Sequence, residues 1–289
     1  MEHEEDGAPL DSRLGGRRGA AAIDTLSGNS TAGSAANGGA IFAFTDAVTV
    51  SQSTLTGNHS DLSQGGGIYS ISSPITISNS IVAENTDNGT APDIRKSPTD
   101  ALTVSRSLIG SNTGNGLTAT VGATPDANGN FIGGSGANAI NPLLGPLQNN
   151  GGSTFTHAVL ASSKALNSGT NALIPLDTLD LDGDLNTAEL VPFDQCRTGF
   201  ARINSGTVDR GAFEKDTTAP SVVITMADRA IRWTETSLVT FTFNEPVIGF
   251  TNADMTIANG TLTAVASANG GLTGPRRSRR QWASPKPRT

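Results

Sequence analysis

Disulfides cannot brace this chain, because it carries one cysteine, Cys196, in 289 residues, which excludes an intrachain bridge. Charge is sparse too, at 16% of residues, and aromatic side chains reach only 4%. No stretch approaches the roughly 18 to 20 apolar residues that a membrane-spanning helix needs. The opening Met1-Glu2-His3-Glu4-Glu5-Asp6 lacks the basic and then apolar layout of a signal peptide. The three histidines, His3, His59 and His157, have no Ser, Cys or Asp partner at a recognisable motif spacing, so no histidine-centred catalytic set can be proposed. Positive charge is outnumbered in the body of the chain. Six of the 19 basic residues fall in the last 14 positions, leaving 13 basic against 26 acidic groups over residues 1–275. Nucleic acid is not an expected partner for such a surface.

What the sequence does have is glycine, 34 residues of it, and one short pattern written three times. The copies are Val48-Thr49-Val50-Ser51-Gln52-Ser53-Thr54-Leu55-Thr56-Gly57-Asn58, Ile75-Thr76-Ile77-Ser78-Asn79-Ser80-Ile81-Val82-Ala83-Glu84-Asn85, and Leu102-Thr103-Val104-Ser105-Arg106-Ser107-Leu108-Ile109-Gly110-Ser111-Asn112. Each step is 27 residues, from 48 to 75 to 102. Self-similarity at such a period marks a stacked architecture in which no single repeat buries its apolar face alone.

Within each copy apolar residues alternate with Thr and Ser, the period of a strand with one buried face. No helical stripe competes. Between copies lie glycine-rich connections such as Asn37-Gly38-Gly39-Ala40-Ile41 and Gln64-Gly65-Gly66-Gly67-Ile68, suited to corners that need positive φ. The fold class is therefore all-β, a parallel β-helix whose coils cover residues 20–140. Ile75, Ile77, Val82, Val104 and Ile109 are expected inside, and Asn58, Asn85 and Asn112 in a corner column bonding along the stack. Gln52, Asn79 and Arg106 are expected to form an outward column, and Phe42 and Tyr69 to shield the stack. Residues 1–19 read as an unstructured segment. Thr25-Leu26-Ser27-Gly28-Asn29-Ser30-Thr31 repeats the end of a coil without a clean preceding strand, which suggests an N-terminally incomplete gene product.

After Asn112 the repeat decays through a Gly/Ala/Asn-rich loop. Residues 141–215 bring prolines that a continuing coil tolerates badly, and they are placed to form a loop-rich cap blunting the open end of the stack. A Thr/Pro linker spans 216–220. From 221 to 274 longer alternating segments, among them Leu238-Val239-Thr240-Phe241-Thr242-Phe243 and Asn244-Glu245-Pro246-Val247, look like the start of a bacterial Ig-like repeat, a partial β-sandwich with fewer residues than the usual seven strands need. Residues 275–289, opening Pro275-Arg276-Arg277-Ser278-Arg279-Arg280, read as a basic disordered tail whose abrupt composition resembles a frameshifted end.

Gly66-Gly67-Ile68-Tyr69, Ser80-Ile81-Val82-Ala83-Glu84-Asn85-Thr86, Pro92-Asp93-Ile94, Asn141-Pro142-Leu143-Leu144, Asn149-Asn150-Gly151-Gly152 and Val208-Asp209-Arg210-Gly211-Ala212-Phe213-Glu214 together resemble the bacterial choice-of-anchor Q surface proteins, over residues 25–214. That resemblance implies a right-handed parallel β-helix of the pectin-lyase-like class, exported and held at the envelope. The family's Asp-Gln-Arg-Gly element stands here as Asp194-Gln195-Cys196-Arg197-Thr198-Gly199, a departure that bears on the local turn.

The densest candidate site is Thr178-Leu179-Asp180-Leu181-Asp182-Gly183-Asp184-Leu185-Asn186-Thr187-Ala188-Glu189. Laid on a calcium loop it offers Asp180, Asp182, Asp184, Asn186 and Glu189 as oxygen ligands, with Gly183 at the tight turn, Leu185 at the apolar position and Thr178 where an Asp is expected, Asp177 lying one residue early. Such a donor set suits Ca²⁺ in a structural role, not a transition metal. For catalysis the sequence offers no catalytic or cofactor-binding residues, Arg106 being the only candidate base. The function expected is a non-enzymatic exported or cell-surface solenoid, monomeric, with a structural or adhesive role toward extracellular polysaccharide or another surface protein. The alternative is a pectin-lyase-like lyase or hydrolase of acidic glycans.

Overall fold

Each copy of the repeat lays down short strands that pair, in parallel and in register, with the same strands of the neighbouring copies. The computed structural model describes residues 10–11, 19–33, 37–62, 65–89, 91–120, 122, 124–230, 235–243, 247, 250–257, 261–267 and 277–283, in two compact units divided between Thr217 and Thr218. Among the described residues there is no α-helix, only three short 3-10 turns.

The first unit holds a β-solenoid with four faces. Ile41–Phe44, Ile68–Ile71 and Ile94–Lys96 make the first sheet, and Val48–Ser51, Ile75–Ser78 and Leu102–Ser105 the second. Thr54–Thr56, Ile81–Ala83, Leu108–Ile109 and Phe131–Ile132 make the third, and His59–Ser60 and Thr86–Asp87 lie in the fourth. Register follows the copies, Ile75 pairing with Val48 and Leu102, and Ile77 with Val50 and Val104. The alternation does what its period demands. Val50, Ile75, Ile77, Val82, Val104 and Ile109 share one buried core, while Thr49, Thr76 and Thr103 stand exposed. Each buried aliphatic contributes roughly 1.5 to 3 kcal/mol.

The coil begun at Thr25 is more complete than its sequence suggests. Gly19–Ala22 pairs with Val48–Ser51, and Leu10–Asp11 with Ile41–Phe42. The expectation of an unstructured segment over 1–19 therefore gives way at these positions, because backbone ladders form without any particular side chain. Residues 1–9 and 12–18, with His3, lie outside the described residues.

The glycine-rich connections turn as expected, with positive φ at Gly38 and Gly65. Positive φ also falls on Ile23, Gln52, Asn79 and Arg106, between the second and third sheets. Glycine is required too where backbones meet, since a Cβ on Gly39 would sit 2.2 Å from the Gly66 carbonyl oxygen. The asparagine column runs Asn29, Asn58, Asn85, with Asn29 Nδ2 donating to Asn58 Oδ1 at 2.9 Å and Asn58 Nδ2 to Asn85 Oδ1 at 2.8 Å. It ends on buried Asp93, which accepts from Asn85 Nδ2 at 2.9 Å. Asn112, expected to be the third member, instead donates to the Leu117 carbonyl, at 3.0 Å. The reason is that Asp93 takes its place, accepting from Asn85 N and Nδ2 and from Ser111 N, and the coil beyond is shorter, Leu108 pairing with Phe131 at a step of 23 residues, not 27. A parallel serine column, Ser53, Ser80 and Ser107, closes on Asn130.

The segment expected to blunt the open end lies along a side of the coils instead. From Ile81 onward the third sheet is apolar on both faces. Leu55, Val82 and Ile109 point into the solenoid core, while Ile81, Ala83, Leu108 and Phe131 pack outward with Val159 and Ala165 of the later segment. A cover at the tip would leave those side chains in water.

In the second unit Val222–Met226, Thr236–Phe243, Arg277–Ala283 and Thr261–Leu262 form an antiparallel sheet, with Ala266–Ser267 also on Arg277–Ala283. Val239, Phe241 and Phe243 are its buried core, and Phe250 meets the latter two rings edge-on at 5.4 and 5.0 Å. The expected disordered tail over 275–289 is corrected here: the free edge of Thr236–Phe243 takes Arg277–Ala283 as its ladder partner, and main-chain pairing is indifferent to arginine. Residues 284–289, like Asn244-Glu245-Pro246, lie outside the described residues.

Candidate functional site

Two places carry the residues singled out above, the corner column of the coils and the acidic loop. At the corner, a residue in αL conformation turns its side chain outward, where Gln52, Asn79 and Arg106 recur every 27 residues (52 to 79 to 106). The structure covers the first two. Asn79 exchanges hydrogen bonds with the Thr170 backbone, 2.9 Å each way, and its own carbonyl accepts from Gly211 N. Gln52 donates to the Leu173 carbonyl at 3.1 Å and accepts from Arg202 at 2.7 Å. Both are fully buried, while Arg106 remains exposed.

The run Val208–Glu214 makes this seam. Arg210 donates to the carbonyls of Ser107, Gly129 and Ser168 and lies 4.6 Å from the Phe131 ring centroid. Burial first, then the Arg106 charge, lowers its pKa to about 10. Fully buried Arg202 donates to the Asp209 and Gly211 carbonyls at 2.9 Å. Burial pushes its pKa down, and the carboxylates of Glu214, Asp194 and Asp209 oppose that shift. Glu214 is itself raised to about 8, by burial and then by the Asp209 charge. Its two oxygens accept from Asn204 N and Asp209 N. The turn at Asp194 closes despite the unusual Cys196, because the Asp194 carboxylate takes the N–H groups of Cys196 and Glu214 at 2.7 and 2.8 Å. Burial raises the Cys196 thiol to about 12. It is packed tightly, a Cβ on Gly152 falling 2.5 Å from its Cα. Sequence reasoning missed this seam, though the unbroken apolar run Ile81-Val82-Ala83 was its signal.

The acidic loop hangs from a narrow neck. Leu176 bridges Leu190 antiparallel, and Asp177 N donates to the Glu189 carbonyl at 2.8 Å. No helix frames it, and Leu185, placed at the apolar position of a calcium loop, is 89% exposed. Four of the five expected ligands, Asp180, Asp182, Asp184 and Glu189, fall into two sets. Carboxylate oxygens of Asp177, Asp182 and Glu189 lie within 4.8 Å of one another, as do those of Asp180, Asp182 and Asp184. Asp182 belongs to both sets. Asp177 is the recruit the sequence placed one residue early; it is buried and also takes Leu181 N at 2.7 Å. Asn186 serves the loop itself, accepting from Ala188 N and donating to Glu189 Oε2 at 3.3 Å. Glu189 Oε1 is buried with no hydrogen-bond partner. Loss of water first, and then the charges of Asp184, Asp182 and Asp177, hold that carboxyl above its ordinary range. An unsatisfied carboxylate oxygen among all-oxygen donors fits a hard divalent cation.

The remaining candidates have structural partners. His59 meets Thr86 and Asp61, and His157 lies between Ser27 Oγ and the Gly145 carbonyl, both at 2.8 Å. Phe42 and Tyr69 stack on each other with centroids 5.6 Å apart.

Residues 216–273 match the family model of the bacterial Ig-like domain. The second unit is thus a bacterial Ig-like domain, joined to a β-solenoid. No curated protein and no solved structure matches the chain. Among the described residues no helix is long and apolar enough to cross a membrane.

Proposed function

We propose that this protein is a non-enzymatic component of the bacterial surface or extracellular space, of the choice-of-anchor Q kind, with a stiff solenoid as its adhesive or spacing body and the Ig-like domain as a stalk. The observation that carries this reading is the joining of a repeat-built β-solenoid to a bacterial Ig-like domain. The covered corner supports it: two of the three column positions from which a pectin-lyase-like base could act are used to seat the cap. In the same reading the Asp177–Glu189 loop takes up calcium after export and stiffens the cap, Asp182 serving both carboxylate sets.

The test has two arms. Membrane-impermeant labelling of intact cells producing the protein should mark it at the surface, and labelling only after lysis would overturn the reading. Incubation with pectate, alginate and other acidic glycans should release no new unsaturated ends. Turnover that disappears in Arg106→Ala would establish the lyase alternative instead.

A further inference from the structure

Val222–Met226, the first strand of the Ig-like domain, lies at the edge of its sheet. It pairs with Thr236–Phe243 on one side, and among the described residues no strand pairs with the other. Which backbone groups face that open side follows from the register. Ala227 N donates to the Leu238 carbonyl at 2.9 Å, so these two residues form a hydrogen-bonded pair, and such pairs alternate along an antiparallel ladder. Thr225 and Val223 therefore turn their N–H and C=O groups toward Thr236–Phe243, and Met226, Ile224 and Val222 turn theirs to the open edge. Directly opposed side chains share a face, which sets Val222, Ile224 and Met226 beside Phe243, Phe241 and Val239, the core of the domain. Met226 packs on that core, while Val222 and Ile224 remain 42% and 56% exposed, and Val223, on the other face, 64%. The strand carries no Lys, no Pro, no other charge and no bulge, the devices by which natural sheets keep their edges apart. Its uncharged run extends from 217 to 227 in a chain of net charge −7, so two copies meet here without the repulsion that acidic surfaces impose.

We infer that Val222–Met226 pairs antiparallel with the same strand of a second copy of this chain, joining two Ig-like domains into one continuous sheet. An isologous contact must fit itself, and this strand does. A two-fold axis through Ile224 sets Ile224 against Ile224 and Val222 against Met226, all residues whose main-chain groups face the edge, for about six hydrogen bonds. The apolar face then runs on from one copy into the other. Five residues a side fall well short of the ~20 to 30 of a standard interface, so the pair is weak and reversible, in place of the monomer that the sequence suggested. The pairing needs the strand alone. Its consequence, lateral linking of neighbouring stalks, rests on the surface reading, under which crowding raises the effective concentration.

Sedimentation equilibrium of the full chain from ~10 µM to ~1 mM should show a monomer–dimer equilibrium within that range. Ile224→Lys, which sets two like charges on the axis, should raise the dissociation constant about tenfold or more. Cross-linking with the thiol oxidant diamide reads the register, Cys196 being buried. Ile224→Cys should yield a disulfide-linked dimer, since opposed Cα atoms of a hydrogen-bonded pair stand ~5.5 Å apart. Val222→Cys should not, its copy lying four residues along the strand at about 14 Å. Unchanged thermal midpoints in dilute solution would establish that the variants fold. A monomer at every concentration, a dimer untouched by Ile224→Lys, or cross-linking of Val222→Cys as readily as Ile224→Cys would overturn the inference. Dimerisation without surface labelling would keep the pairing and remove the lateral link, and surface labelling of a protein that stays monomeric would remove the pairing and leave the surface reading standing.

Discussion

The second and third sheets of the solenoid are built by the same coils at the same register, yet they meet opposite fates. On the second, the outward positions Thr49, Thr76 and Thr103 stay in water. On the third, the outward Ile81 and Leu108 are fully buried beneath residues of the cap. The difference is chemical before it is architectural. A strand that alternates needs one cover, the core; a strand that is apolar throughout needs two. The cap therefore belongs to the side of the stack.

The sharpest way to break this comparison is to put a charge inside the coil. Ile77→Asp buries an unpaired carboxylate in the shared core and should unfold the solenoid outright, whereas Thr76→Asp, one residue along and exposed, should shift the thermal midpoint little. Equal responses from the two would mean the register is wrong.

Next in size is the outward position itself. Ile81→Ala should cost about 2 to 5 kcal/mol through the cavity it leaves under the cap, against roughly 0.5 kcal/mol or less for Thr76→Ala. Denaturant titration of both variants measures the gap. A cap that merely fringes the sheet would give two similar small losses.

Acidity sharpens the comparison through the seam. Burial and the Asp209 charge raise Glu214 to about 8, and burial raises Asp194 to about 6 and, under the asparagine column, Asp93 to about 7. In the unfolded chain these groups titrate near 4, so their stabilising contribution is fully present below about pH 4 and is lost progressively as pH rises from there through the folded values of about 6 to 8. The thermal midpoint should fall between pH 5 and 9. Glu214→Gln should flatten the upper part of that slope; a midpoint that climbs with pH would contradict the burial argument.

The smallest effect belongs to the loop farthest from the coils in character. With a dissociation constant of ~10⁻⁴ to 10⁻³ M, ~10 mM Ca²⁺ should stabilise by about 1 to 3 kcal/mol relative to chelator. Asp182→Asn should abolish the increment, since both carboxylate sets share that residue. An unmoved parent midpoint would leave the loop a solvated acidic turn.

How much of this was legible in the sequence depends on how local the cause was. The core residues Ile75, Ile77, Val82, Val104 and Ile109 followed from alternation and a fixed spacing, both visible in a short window. The seam showed in the sequence only as the apolar run Ile81-Val82-Ala83; its polar partners were not legible, because Gln52 and Arg202 meet across 150 positions and neither residue type announces burial. The loop lay in between. Its acidic residues were plain, but the recruit Asp177 depends on the Leu176–Leu190 bridge, and a template that assumes flanking helices misplaces it. The arginine-rich strand was missed because composition argued for solvent while an unpaired neighbouring edge argued for a ladder.

Asp93 has a further meaning for an array of near-identical copies. Such arrays can mispair by a whole repeat, since residues 48–58 would sit almost as well where 75–85 belong. The asparagines cannot prevent that slip, each being able to pass the bond along as the last one did. Asp93 takes the Asn85 amide, the Asn85 backbone N–H and Ser111 N, the last two at 3.2 and 2.7 Å, and hands no amide onward. It acts as a full stop, and a full stop is what lets a repeated phrase be counted. Extra coils inserted before Asn85 would keep that punctuation, whereas coils inserted after Ser111 would have to begin a new sentence.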